Sequence, residues 1–164
     1  MFIFMKKTLT KFILSLVATV AFAFTGAQLS QPTEAHAATE ISYSKIQTVA
    51  KAQLGKPYGW GSTGPSRFDC SGFTSYVYKH AAKKVIPRTA QAQYNKYKHV
   101  SYKNIKKGDL VFFGGSKRSI SHVGLYVGNG KMIDSQNRGV VTEAVHAPWW
   151  HAVGYARVGN VVAD

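Results

Sequence analysis

The sequence predicts an α+β domain, with helices first and an antiparallel sheet second. Two observations carry this. Apolar residues recur at helical spacing before Pro87, and beyond Gly108 they recur at the period of strands, in short runs separated by turn residues. A third is that no internal repeat, low-complexity linker or second domain interrupts the chain.

The first segment is not expected to belong to the fold. Lys6, Lys7 and Lys11 precede an apolar run from Phe12 to Phe24, too short for a membrane span, and a polar stretch then ends in Ala35-His36-Ala37. This reads as a secretory signal peptide over 1–37, followed by a tail over 38–43 and a single folded domain over 44–164. No cysteine lies near the junction and nothing later is apolar enough to span a bilayer, so an exported protein without a stable membrane anchor is expected.

Within the domain, Ser44 and Gln47 suit a capping box, and Ile46, Val49, Ala50 and Leu54 line one side of a helix that Gly55 would end. A loop runs from Lys56 to Asp69. Asp69 then suits the N-cap of a helix carrying Cys70, Phe73, Tyr76, Val77 and Ala81. Pro87 breaks that pattern, and Thr89 to Lys98 reads as a short helix before a basic loop. Strands are predicted at Leu110–Phe113, Val123–Val127, Lys131–Ser135, Val140–Val145 and Val153–Val158.

Charge bounds the partners. The 164-residue chain has 21 basic and 7 acidic side chains, and removing residues 1–37 takes away three lysines and Glu34, which leaves 127 residues with a net charge of about +12. Lys96, Lys98, Lys103, Lys106, Lys107, Lys117 and Arg118 share one stretch in which Asp109 is the only acid. Such a run is either a solvated face or an attraction to a polyanion, and for an exported protein that polyanion is the cell wall. Tyr94, Tyr97 and Tyr102 lie among these lysines, but no nucleic-acid motif accompanies them and the leader directs the chain away from cytoplasmic nucleic acid. No nucleic-acid partner is expected.

Cys70 is the only cysteine, so it cannot form an intrachain disulfide. A small buried hydrophobe is one reading. The other is a nucleophile, because a thiol in the first turn of a helix sits in the positive end of the macrodipole, which favours the thiolate. A thiolate nucleophile needs an imidazole. His80 lies ten residues further along the same helix, roughly 15 Å away. His99 falls among lysines, and His146 and His151 lack Cys or acidic partners at metal-ligand spacing. His122 opens the strand Val123-Gly124-Leu125-Tyr126-Val127, where a sheet rim can hold a base.

Asp134 is the candidate third group. If Gly128-Asn129-Gly130 forms a three-residue loop with Gly130 left-handed, Asp134 pairs opposite Gly124 and lies diagonal to His122 on the same face, about 7–8 Å between backbones. A two-residue Asn129-Gly130 turn would instead send Asp134 to the other face.

The motifs Tyr58-Gly59-Trp60-Gly61, Phe68-Asp69-Cys70-Ser71-Gly72-Phe73, Pro87-Arg88-Thr89, Gly108-Asp109-Leu110-Val111-Phe112-Phe113 and Ser121-His122-Val123-Gly124-Leu125-Tyr126 resemble, in order, those of the NlpC-type cell-wall cysteine peptidases. The resemblance runs from about Ser44 to Val158. It implies a compact papain-like fold and cleavage of peptidoglycan stem peptides, commonly between γ-D-glutamate and the diamino acid. By position it makes Cys70 the nucleophile and His122 the base. Asp134 takes the third polar position, where family members more often carry His. It also implies that Asp69, Ser71 and Arg88 line the pocket for L-alanine and γ-D-glutamate, with Tyr58 at the oxyanion or pocket wall and Trp60 packed beneath. Asp69 could meet a free amine, and Arg88 could organise that acid or bind a carboxylate.

The expected protein is therefore a secreted, cell-wall-associated endopeptidase that needs no metal or cofactor and works as a monomer on stem peptides and anionic wall polymers. The alternatives are the same Cys/His chemistry on another amide, as an amidase or acyl transferase, or a non-catalytic basic wall-binding protein.

Overall fold

A computed structural model describes residues 40–164. The expected signal peptide lies outside the described residues. The predicted α+β order is observed. After a short strand β1 (Ile41–Ser42) come α1 (Tyr43–Lys51), α2 (Cys70–Ala82) and α3 (Ala90–Lys96). The strands β2 (Lys98–Val100), β3 (Leu110–Ser116), β4 (Ser119–Gly128), β5 (Lys131–Gln136), β6 (Gly139–Ala144), β7 (Ala152–Arg157) and β8 (Val161–Val162) follow. Six strands form one antiparallel sheet in the order β2-β7-β3-β4-β5-β6, and β1 pairs with β8.

The larger core lies between the helices and one face of the sheet. Ile46 of α1, Phe73, Val77 and Tyr78 of α2, and Tyr94 of α3 meet Leu110, Phe112, Val123, Leu125, Ile133 and Ala156. Full burial of an aliphatic or aromatic side chain stabilises by roughly 1.5–3 kcal/mol, so this layer fixes how α2 lies on the strands. The opposite face holds a smaller cluster of Val111, Phe113, Met132 and Val145. Residues Leu110 to Phe113 are buried on both faces, which is why they read as a continuous apolar run.

Several boundaries differ from expectation. The cap of α1 is Ser42, whose hydroxyl accepts from the N–H of Lys45, while the Ser44 hydroxyl is spent on the Asp164 carboxylate. The stretch expected as a tail thus supplies both a strand and a helix cap. Helix α1 ends at Lys51 and continues as tight turns to Gly55, so Leu54 leaves the apolar line and is exposed. Lys98–Val100, expected within a helix and a basic loop, pairs with Arg157–Tyr155 as the edge strand β2. A solvated edge tolerates its lysine and histidine, so no apolar alternation marks it.

The β4–β5 hairpin corrects the turn and keeps the register. Gly128 pairs with Lys131, and Asn129 and Gly130 have φ of 53° and 68°, the signature of a two-residue type I′ turn. Val127 is an extra residue bulged out of the ladder between the Tyr126–Met132 and Gly128–Lys131 pairs. A two-residue turn plus one bulged residue has the same parity as a three-residue loop. Gly124 therefore lies opposite Asp134, as predicted.

Candidate active site

Helix α2 begins at Cys70 because Asp69 caps it: the Asp69 Oδ1 accepts the Gly72 N–H at 2.6 Å. The cap leaves the N–H groups of Cys70 and Ser71 as the open donors of the first turn. Gly72 permits the approach of the preceding loop, since a Cβ there would lie 2.1 Å from the Ser62 carbonyl oxygen. Ser135 of β5 donates its hydroxyl to the Phe68 carbonyl at 2.8 Å, tying the loop before Cys70 to the sheet.

His122 extends from β4 on the face shared with Gly124 and Asp134. Its Nε2 lies 2.7 Å from Oδ2 of Asp134, whose side chain is fully buried. Gly124 makes this contact possible: a Cβ there would meet Met132 Sδ at 2.6 Å and the Asp134 Cβ at 3.2 Å. Burial works against a charged ring. Hydrogen bonding to Asp134 and to Cys70, with the negative charge of both, outweighs it and pushes His122 up to about 9. With Nε2 committed to Asp134, Nδ1 is the nitrogen available to Cys70.

A cleft of about 580 Å³ opens beside Cys70, and its walls include all six of the expected Tyr58, Trp60, Asp69, Cys70, Ser71 and Arg88. Arg88 grips Asp69 with both terminal nitrogens, Nη1 at 3.1 Å from Oδ1 and Nη2 against Oδ2, and Nη1 also donates to the Ser71 hydroxyl at 3.0 Å. Of the two roles weighed for Arg88, organising Asp69 is the one its geometry fits. The Tyr58 phenol is held above its ordinary value, first by burial and then by the nearby Cys70 and Asp69, so it remains an O–H donor at physiological pH.

Trp60 corrects the expectation that it packs beneath the pocket, for it is 90% exposed. It occupies the corner of a turn closed by the Ser62 N–H on the Gly59 carbonyl, and a corner side chain projects away from the body of the protein. Trp60 therefore stands on the rim of the cleft.

Three of the other histidines have local partners: His80 stacks on Tyr76, His99 on Tyr94, and His146 meets Tyr102 edge-on. No cluster of metal-ligating side chains is found among the described residues. The fold also divides the basic stretch. Lys117 and Arg118 form the turn between β3 and β4. Lys98, Lys103 and Lys106 line a groove of about 650 Å³ at the far edge of the sheet, beside Arg157, which is paired bidentately with Asp109.

Three functional candidates escaped the sequence reading. Gln93 is fully buried and joins α3 to the site, accepting from the Thr74 hydroxyl at 2.9 Å and donating to the carbonyls of Ser71 and Pro87 at 3.1 and 2.8 Å. Trp150 stacks on His122, and Glu143 accepts the Trp150 indole N–H. A polar residue on a helical face hints at Gln93. No periodic signal marks a loop residue such as Trp150.

Residues 55–157 match the NlpC/P60 family. The chain belongs to this family. Its papain-like α+β fold recurs in a solved NlpC/P60 family protein from Bacillus cereus ATCC 10987, with TM-score 0.67, 35% identity, and coverage of 70% of this chain and 39% of that one. Among curated relatives, the probable endopeptidase p60 of Listeria welshimeri is 48% identical over 114 residues, 67% of this chain and 21% of the relative. The bifunctional muramidase/DL-endopeptidase CwlT of Bacillus subtilis (strain 168) is 41% identical over 121 residues, 71% of this chain and 36% of CwlT. This NlpC/P60 domain thus spans well under half the length of both. RipD from Mycobacterium tuberculosis, described as a non-catalytic NlpC/p60 domain protein adapted to peptidoglycan binding, matches with TM-score 0.61 and 26% identity over 71% of this chain and 96% of RipD.

Proposed function

We propose that this chain is an exported cysteine endopeptidase that hydrolyses peptidoglycan stem peptides at the γ-D-glutamyl–diamino acid bond. The observation that carries the proposal is the 2.7 Å contact of His122 with the buried Asp134, on a ring that the Cys70 charge also raises, together with the cleft beside Cys70 that Asp69 and Arg88 wall. The name of CwlT, a muramidase and DL-endopeptidase, supports a wall peptide as substrate and a bond between D and L residues as the target. The apolar leader over 1–37 supports export, and no described helix is long and apolar enough to cross a membrane.

In this reading the Cys70 thiol gives its proton to His122, which holds it as an imidazolium beside Asp134. The Cys70 sulfur attacks the γ-D-glutamyl carbonyl carbon, and the oxygen takes the negative charge beside the open first-turn N–H groups and the Tyr58 hydroxyl. As the C–N bond breaks, His122 gives its proton to the departing amine and a thioester remains. Neutral His122 then takes a proton from water, hydroxide adds to the thioester carbonyl, and the Cys70 thiolate leaves as the acid forms. Asp134 holds the ring and stabilises its charged form throughout. Asp69, held by Arg88, offers a carboxylate to the free amine of an N-terminal L-alanine.

The likeness to RipD supports a second reading, a wall-binding domain without turnover. The two separate on one experiment: mass spectrometry of fragments from defined muropeptides, with Cys70→Ala as the control. Anionic wall polymers remain proposed partners, attracted by the overall charge and by the groove at Lys98, Lys103 and Lys106.

A further inference from the structure

We propose that Trp150 and Glu143 are positioning residues for His122: the indole covers one face of the imidazole, and Glu143 anchors that indole while backing Asp134. The inference rests on the reading of His122 as the base.

The ring centroids of Trp150 and His122 are 4.7 Å apart and their planes differ by 14°, a stacked pair. Trp150 comes from the loop after β6, where its backbone N–H closes a turn on the Ala147 carbonyl. Its Nε1–H donates to Glu143 Oε1 at 2.9 Å, and Arg138 Nη2 donates to Glu143 Oε2 at 2.8 Å. Phe113 meets the indole from the sheet at 4.7 Å. The indole is thus fixed at its polar end and along its side, which a merely space-filling aromatic would not require.

Glu143 also faces Asp134. Asp134 pairs opposite Val141, so Glu143 lies diagonal to it on the same sheet face. Oδ1 of Asp134 is buried and has no hydrogen-bond partner among the described residues. The groups around the Glu143 carboxyl are Asp134 from β5, Arg138 from the β5–β6 turn, Trp150 from its loop and, beyond Asp134, His122 from β4. Burial, then the Asp134 charge, push Glu143 up from its ordinary value.

Two consequences follow for the base. Rotation of the imidazole would break its contacts with both Asp134 and Cys70, and a stacked, anchored indole resists that rotation. The π-face also favours the imidazolium over the neutral ring.

The test uses the full chain and reads two quantities: kcat and KM on a defined stem peptide, and the titration of the His122 ring by NMR. Trp150→Leu should lower kcat about tenfold with KM nearly unchanged, and lower the His122 midpoint by roughly half to one pH unit. Trp150→Phe, which keeps a stacking ring, should recover most of both. Glu143→Gln keeps an acceptor for the indole but removes the charge, and should lower the midpoint with the fold intact; it carries the test if Trp150→Leu does not fold. A wild-type midpoint in Glu143→Gln together with wild-type kcat in the foldable Trp150 variants would overturn the proposal. Hydrolysis persisting in Cys70→Ala would overturn the proposed function instead, and the NMR titration reads the positioning role either way.

Discussion

His122 and Asp134 meet at 2.7 Å across the backbone of Gly124, and the meeting depends on one bulged residue, Val127. Without the bulge, the Asn129-Gly130 turn would place Asp134 opposite Leu125 and turn its carboxylate to the other face of the sheet. Asp134→Asn keeps the shape and can still hold the ring, but it stabilises the imidazolium poorly. Turnover should fall by roughly 10²- to 10⁴-fold with an unchanged circular dichroism spectrum. Steady-state kinetics on a defined stem peptide checks this, and a loss under threefold would remove Asp134 from the mechanism.

The raised His122 has a definite sign in stability. Its folded value of about 9 exceeds its ordinary 6.5, so the folded state binds the proton more tightly than the unfolded chain. The contribution is full below about 6.5 and is lost as pH rises through about 9. Denaturant unfolding at pH 6 and pH 9.5 should therefore differ by up to about 3 kcal/mol in wild type, and by much less in His122→Gln. Equal pH dependence in the two proteins would contradict the charged pair.

Asp69 serves both as a helix cap and as the partner of Arg88, and substitution separates these roles. Asp69→Asn retains a capping oxygen, so stability should change by less than about 1 kcal/mol, whereas Asp69→Ala should cost about 0.5–2 kcal/mol. Both should raise KM for a stem peptide with a free N-terminal amine and leave an N-acetylated peptide nearly unaffected. Michaelis constants for the two peptides decide it, and equal effects on both would assign Asp69 a purely structural role.

Wall affinity should come largely from charge. Pelleting with purified walls should weaken steadily from about 20 mM to 500 mM salt, as screening shortens the reach of the lysines. Replacing Lys98, Lys103 and Lys106 with Glu should reduce binding at low salt. Binding indifferent to salt would point to an aromatic surface such as the rim at Trp60.

The sequence is most legible where a residue's role depends on its own element. Cys70 and its cap could be read because both belong to one helix start, and the Gly124–Asp134 register could be read because alternation has period two. The bulge at Val127 was hidden, since turn length and bulge offset each other and only their sum fixes the face. Trp60 was misread because indole burial is the common outcome, while the turn from Gly59 to Ser62 forces it outward. Trp150 and Glu143 were invisible as a pair because their contact depends on where a loop lands. Ser44 reads as the cap of α1, but the Asp164 carboxylate, 120 residues away, takes its hydroxyl, and Ser42 caps the helix instead.

The central claim is that Cys70 cleaves a γ-D-glutamyl bond. The most direct measurement is mass spectrometry of the products from a stem peptide of L-alanine, γ-D-glutamate and a diamino acid, incubated with the wild type, Cys70→Ala and Cys70→Ser. The account predicts the L-alanyl-γ-D-glutamate dipeptide and a fragment with the diamino acid at its new N-terminus from the wild type, and intact peptide from both folded variants. Equal cleavage by Cys70→Ala, or intact peptide and intact muropeptides after wild-type incubation, would contradict it.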